Sequence, residues 1–232
     1  MLKGKRILVT AGGTQEFIDD IRVLTNISSG KLGAIISETL VQKGAEVYHV
    51  CGRNSVKPHG NEWVPLYVTE VRTAQNAMDA MKKIIVEKQI DAVIHAMAVS
   101  DFTFKRDKAI KLKSNDPEAF IEFMRQNIVK NPKIISHIKE WRPGIILVGF
   151  KFEVGMSTQD LIFLARESIE KNGCDMVVAN DKEQMAREKE HVAHMVVASD
   201  LRVKHEFKAS WGAVGKEDIA SQIAYFLEEV LP

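Results

Sequence analysis

Short apolar runs alternate along this chain with stretches in which apolar residues recur every three or four positions. Runs of the first kind predict strands over 6–10, 46–51, 63–68, 92–98, 144–150 and 176–179. The second kind predicts helices over 32–43, 73–88, 117–127, 132–139 and 159–171. Within 73–88, Ala77, Met78, Met81, Ile84 and Ile85 share one face, which reads as core packing. Strands alternating with helices imply an α/β fold, a Rossmann-like and mostly parallel sheet flanked by helices. After Asp181 the pattern changes. Residues 192–198 and 203–208 straddle a polar turn and predict a C-terminal antiparallel hairpin within about 191–208. An amphipathic helix over 216–231 closes the chain. No repeat or long linker interrupts the order, so 1–232 reads as a single domain.

A long polar stretch separates the first strand from the first helix. It begins Ala11-Gly12-Gly13-Thr14 and ends Asn26-Ile27-Ser28-Ser29-Gly30-Lys31. A plain dinucleotide fold turns from strand to helix within a few residues. Here backbone N–H groups at Gly12 and Gly13, and a helix start capped by Ser28 or Ser29, suit phosphate oxygens. Arg22 and Lys31 add cations, and Asn26 adds a neutral donor and acceptor. The stretch predicts a site for a polyphosphate and a second anion.

Composition narrows the classes. Thirty-two basic residues against 31 acidic ones give a net charge of +1, so nothing draws nucleic acid or a membrane surface in bulk. No run of about eighteen apolar residues predicts a membrane span, and Met1 to Lys5 leads straight into a strand without a secretory signal. Cys51 and Cys174 lack metal-ligand spacing. The expectation is a cytoplasmic protein.

Residues 102–115 form a second unusual segment, rich in cations: Lys105, Arg106, Lys108, Lys111 and Lys113. Lys111-Leu112-Lys113 alternates as an extended strand does, with both lysines on one side. The segment follows a strand's carboxyl end, where open α/β sheets bind ligands. It reads as a cationic flap over a polyphosphate.

Rival chemistries fit less well. Gly30-Lys31-Leu32 lacks the hydroxyl that a P-loop places on magnesium. Gly12-Gly13 lacks the spaced third glycine of a nicotinamide fingerprint, and the second strand ends without an acid for a ribose hydroxyl. Arg53 suits a 2′-phosphate, so an NADP-dependent oxidoreductase stays open, as does a non-catalytic nucleotide-binding module. His95, inside an apolar run, reads as a satisfied core histidine, and His191 and His194 read as surface or packing residues.

The run from Ala11 to Thr14, with Ile18-Asp19, Arg22 and Asn26 to Lys31, closely resembles phosphopantothenoylcysteine synthetase. Ala98-Val99-Ser100-Asp101, Lys111-Leu112-Lys113, Val129-Lys130-Asn131-Pro132, Val148-Gly149-Phe150 with Glu153, and Ala179-Asn180-Asp181 extend the resemblance over nearly the whole chain. The resemblance implies a ligase of coenzyme A biosynthesis. Its members activate 4′-phosphopantothenate with a nucleoside triphosphate, CTP in most bacterial members, and release pyrophosphate. L-cysteine then takes the acyl group, giving 4′-phosphopantothenoylcysteine and CMP.

Residue by residue, the resemblance makes Asn26 and Lys111 catalytic, and Arg22 and Asn26 contacts for phosphopantothenate. It implies nucleotide contacts at Gly12, Gly13, Thr14, Ser28, Ser29, Gly30, Asp101, Lys111, Pro132, Lys133, Ile134, Ile135, Phe150 and Lys171. Mg²⁺ is the implied cofactor, with unspecified ligands, and a homodimer the implied assembly. A flavin-dependent decarboxylase is fused ahead of this domain in many bacteria. This chain starts at the first synthetase strand and so resembles the free-standing bacterial form, which binds no flavin and meets its decarboxylase, if at all, as a separate protein. Two departures stand out. Phe17 and Asp20 occupy positions where many relatives carry prolines. Ser168 and Asn172 replace a lysine pair of CTP-using members, with Lys171 adjacent as the substitute.

Overall fold

The first apolar run becomes β1 (Arg6–Ala11), buried at every residue after Arg6, as befits a central strand covered on both faces. A hairpin of β2 (Gln15–Phe17) and β3 (Val23–Thr25) follows, then α1 (Lys31–Gln42), β4 (Glu46–Gly52), β5 (Leu66–Val71), α2 (Ala74–Lys88) and β6 (Ala92–His95). β7 (Phe102–Phe104), α3 (Pro117–Asn127), β8 (Ile128–Lys130), α4 (Ile134–Trp141) and β9 (Ile146–Glu153) come next. The described order ends with α5 (Thr158–Asn172), β10 (Met176–Asp181), α6 (Lys182–Glu188), β11 (Val192–Val197), β12 (Ser210–Val214) and α7 (Lys216–Val230). The computed structural model describes residues 1–106, 111–113, 115–199, 201 and 210–232.

Eight of these strands form one sheet in the order β12-β11-β10-β9-β6-β1-β4-β5. The pairs from β5 to β10 are parallel, and β11 and β12 add antiparallel at one edge. The chain therefore runs outward from β1 to β5, crosses back to β6, and continues to the other edge. Between β1 and β6 the direction of winding reverses, and the crevice beyond their carboxyl ends is where such sheets hold ligands.

Alternation along each strand divides the core. Ile7, Val9, Ile94 and Val178 face α1 and α7, packing on Ile36, Leu40, Ile223 and Phe226. Leu8, Val93, Leu147 and Val177 face the other way, onto α2, α4 and α5. The apolar stripe of α2 lies where its spacing predicts: Ala77, Met81 and Ile85 are buried, and Met78 and Ile84 pack partly buried beside them. The start of α2 is held twice. Thr73 and Asn76 form a reciprocal capping box, and the buried Glu16 of β2 accepts from Ala74 N–H at 2.7 Å. Thr73→Ala is expected to cost about 1 kcal/mol in a denaturant titration, because one orphan donor of the first turn loses its acceptor.

Several expected boundaries move. The run predicted over 63–68 becomes β5 at Leu66–Val71, with Trp63 87% exposed ahead of it. The strand predicted over 92–98 stops at His95, because Met97 N–H bonds Thr10 Oγ1 and Ala98 N–H bonds the Gly12 carbonyl, drawing the chain across β1. The antiparallel partner of β11 is Ser210–Val214; residues 203–208, predicted as that partner, lie outside the described residues. Residues 111–113 carry no strand assignment, and Lys111 and Lys113 flank Leu112 there. Among the described residues of the segment, the regular structure is β7, paired antiparallel with β8. Among the described residues, no helix is long and apolar enough to cross a membrane.

Candidate active site

A cavity of about 920 Å³ opens at the carboxyl ends of the parallel strands. Its walls come from the residues before and within the first turn of α1, the segment after β6, the entry to α4, and the ends of β9 and β10. Three helices, α1, α4 and α7, start at this cavity, and each brings a lysine at or beside its N-terminus: Lys31, Lys133 and Lys216. Helix N-termini and ammonium groups on one wall favour an anionic ligand.

Many of the expected site residues meet here. Asn26, Ser28, Ser29, Gly30, Asp101, Pro132, Lys133, Ile134, Ile135 and Phe150 all line the cavity. Asn26 is exposed, and its Nδ2 donates to the Val99 carbonyl at 3.2 Å. Ser28 and Ser29 do not cap α1. The N-cap is Gly30, in the left-handed region at φ 73°, and no side chain caps the helix; Ser29 Oγ accepts only a long bond from Lys31 N–H at 3.4 Å. A Cβ on Gly30 would come within 2.8 Å of Ser55 Cβ and 3.2 Å of Gly12 N, so glycine is required by both conformation and packing.

Gly12, Gly13 and Thr14 stand off the cavity wall and brace the first loop. Thr14 N–H donates to the Ala98 carbonyl, Thr14 Oγ1 accepts from Ser100 N–H, and Gly13 bridges to Ala98. A Cβ on Gly12 would overlap Ser55 Oγ at 1.6 Å.

Arg22 and the flap form a second group. The buried Asp19 carboxylate accepts from Ile21 N–H at 2.9 Å, Arg22 N–H at 2.7 Å and Leu112 N–H at 3.2 Å. Arg22 returns a bond to the Leu112 carbonyl at 3.0 Å and lies over the Phe120 ring. Leu112 is thereby fixed to the β2–β3 hairpin, and Lys111 and Lys113 flank it, both exposed. Neither Arg22 nor Lys111 lines the cavity in this arrangement. Phe17 and Asp20, the first of the two departures from the family pattern, belong to the same contact: Asp20 pairs with Arg106, and Phe17 stacks under Arg72 and Arg106. Lys108 lies outside the described residues.

Lys171 is not brought to the site. α5 runs back from the end of β9 to the start of β10, so its last turn lies at the opposite end of the sheet. Ser168 and Asn172 there bond each other.

The cavity also holds residues not expected as ligand contacts: His95 and His191, read above as core and packing residues, with Phe152, Asn180, Met185 and Lys216. Asn180 is buried, with Nδ2 bonded to the Val192 carbonyl. His191 has its pKa lowered by burial and by the Lys216 charge beside it. Lys216 and His191 reach the cavity only because the antiparallel edge returns the chain to the carboxyl ends of the parallel strands, a meeting that local pattern does not encode. Cys51 and Cys174 are buried free thiols, the latter pushed up to about 12 by burial and the Asp175 charge. Among the described residues, no group of three or more His, Cys, Asp or Glu side chains is placed to hold a metal.

The chain matches the family model of the DNA/pantothenate metabolism flavoprotein C-terminal domain over residues 2–230. It is 36% identical over 230 residues to the coenzyme A biosynthesis bifunctional protein CoaBC of Thermococcus kodakarensis, covering 99% of this chain and 52% of that protein. The chain thus spans about half the length of that relative. The crystal structure of the DNA/pantothenate metabolism flavoprotein from Streptococcus pneumoniae superposes with a TM-score of 0.80 at 31% identity, covering 97% of this chain and 99% of that one. A mutant Cab2 in complex with phosphopantothenate-cysteine shares the fold, with a TM-score of 0.69 at 15% identity over 97% of this chain and 86% of that one. A strand order wound outward from β1 in both directions, a cavity at its switch point and a family match over almost every residue agree: the chain belongs to the DNA/pantothenate metabolism flavoprotein C-terminal domain family.

Proposed function

We propose that this protein is a phosphopantothenate–cysteine ligase that uses CTP. The observation that carries the reading is the convergence of three lysine-bearing helix starts on a cavity that also presents the Asn26 carboxamide. A polyphosphate and a phosphorylated acid are both anions, and the basic wall suits them. The volume, about 920 Å³, lies in the range of small-molecule sites.

The carboxylate of 4′-phosphopantothenate attacks the α-phosphorus of CTP, the bond to the bridging oxygen breaks, and pyrophosphate leaves. The cysteine amine then attacks the acyl carbon, loses a proton, and expels CMP. No electron is transferred, so the proposal calls for no flavin. Asn26 holds the acyl group by a neutral amide, which neither protonates the anhydride nor attacks it. Lys31, Lys133 and Lys216 hold phosphoryl oxygens, and Lys111, off the cavity wall in the observed arrangement, is assigned to the departing pyrophosphate from the flap. Arg22, fixed by Asp19, serves the acid substrate.

Mg²⁺ bound mainly by nucleotide phosphates needs only one or two protein carboxylates, and Asp101 is the carboxylate on the cavity wall. The donor set therefore fits an ion that arrives with the nucleotide, with Asp101 as its protein ligand. Such an ion supplies positive charge to the leaving pyrophosphate. A cytoplasmic homodimer belongs to the same proposal.

The test is pyrophosphate release from the purified protein with Mg²⁺ and 4′-phosphopantothenate, comparing CTP with ATP, with and without cysteine. Sustained release with CTP only when cysteine is present is the expected result. Release with ATP instead would keep the chemistry and overturn the base preference. No release with either nucleotide would overturn the ligase and leave a nucleotide-binding module.

A further inference from the structure

Two buried histidines of the sheet share a bonding pattern and differ at one atom. His49 of β4 bonds Ser37 Oγ through Nδ1 at 2.8 Å, and His95 of β6 bonds Thr10 Oγ1 through Nδ1 at 3.0 Å. The Nε2 of His49 is sealed in the core without a partner. The Nε2 of His95 is not among the sealed atoms and has no partner among the described residues, and the ring lines the cavity, with the whole residue only 8% exposed. One imidazole is thus closed in packing and the other opens onto the candidate site.

The surroundings of Thr10 set the tautomer. Thr10 is in register with His95 across the β1–β6 ladder and is fully buried. Its hydroxyl oxygen already accepts from Met97 N–H at 3.2 Å. The hydroxyl proton has His95 Nδ1 as its acceptor, since a buried donor left unused would cost free energy. With Nδ1 accepting, the ring proton of the neutral imidazole resides on Nε2. Burial lowers the pKa of His95 to about 4, so the ring is neutral at physiological pH.

From this geometry we propose that His95 contacts substrate, donating from Nε2–H to an acceptor oxygen bound in the cavity. The inference rests on the ligase reading for the identity of that oxygen, which belongs either to the nucleotide phosphates or to the phosphorylated acid. A neutral donor held on a strand end gives direction without adding charge. It complements the three lysines, whose long side chains supply charge with little orientation.

The test combines ¹⁵N-histidine NMR with two substitutions in the full chain. In the free protein, His95 is expected to show a protonated Nε2 and an unprotonated Nδ1. Adding CTP with Mg²⁺, or 4′-phosphopantothenate alone, should shift the Nε2 resonance in one arm, which identifies the source of the oxygen. His95→Leu should lower kcat/KM about tenfold, the scale of one hydrogen bond, and His95→Gln, which restores an N–H donor, should recover part of it. Thr10→Val, which leaves the ring but removes its hydroxyl partner, should weaken the tautomer preference in the NMR spectrum. A proton on Nδ1, or a His95 resonance that neither substrate moves, would overturn the proposal. Wild-type kcat/KM in His95→Leu would overturn it as well. Failure of the wild type to turn over would strike the ligase reading alone, because the tautomer and the titration shifts still decide the role of His95.

Discussion

Replacing Asn26 with alanine is expected to leave the fold intact and to cut product formation by roughly 10²–10³-fold. The side chain is exposed, and among the described residues its structural bond is the one from Nδ2 to the Val99 carbonyl, so the unfolding midpoint should barely move. The same residue lines the cavity with the α1 N-terminus and the segment after β6, the place that the proposed mechanism gives to the acyl group. Asn26→Asp separates shape from chemistry. It keeps the size, loses the N–H donors and adds a charge that repels both anionic substrates. Its activity should therefore fall at least as far as that of the alanine variant. Lys111→Ala should also fold normally and lose pyrophosphate release. The measurements are CMP and pyrophosphate formation beside a denaturant titration. Wild-type rates in Asn26→Ala and Lys111→Ala would remove both residues from the reaction while leaving the fold and family membership intact.

The sequence makes the sheet legible because long, strongly periodic segments carry their own evidence. The stripe of α2 and the apolar runs of β1 and β10 specify element type without help from the rest of the chain. Three-residue strands carry no such signal. β2 and β3 lie inside a stretch that reads as a polar loop, and the charged Glu16 at its centre turns out buried because it accepts from the start of α2. The pairing of β7 with β8 joins segments separated by the whole of α3. Those pairings are decided by contacts distant in sequence, which periodicity cannot register. The cavity divides in the same way. Asn26 to Gly30 and Pro132 to Ile135 are contiguous motifs and could be found by reading. His191, Lys216 and Asn180 come from separate chain ends, and only the sheet order brings them together. Lys171 shows the converse error: proximity to a motif in sequence placed it at a site that the direction of α5 puts beyond reach.

Asp19→Ala should destabilise the protein by about 2–3 kcal/mol and lower kcat/KM by roughly 10²-fold, although the residue does not line the cavity. Removing the carboxylate strips acceptors from the N–H groups of Ile21, Arg22 and Leu112 together, and releases the Arg22 guanidinium 3.8 Å away. Arg22 and the flap at Leu112 would then lose the carboxylate that both bond. Asp19→Asn retains one acceptor oxygen and should fall between the alanine variant and the wild type in both readouts. The charge also predicts a pH dependence. Burial works against the ionised form of Asp19, but the N–H groups of Arg22, Ile21 and Leu112, with the Arg22 charge, outweigh it and hold the pKa below the ordinary carboxylate value. A carboxylate with a depressed folded-state pKa contributes stability above its unfolded pKa of about 4. That contribution falls away as pH drops through the folded value. The stability difference between wild type and Asp19→Asn should therefore be constant from pH 6 to 7 (roughly two units above that pKa) and shrink below about pH 4. Paired denaturant titrations across that window test the anchor. A difference independent of pH would show that Asp19 acts through shape alone, and unchanged kcat/KM in Asp19→Ala would show that the flap needs no anchor on the hairpin.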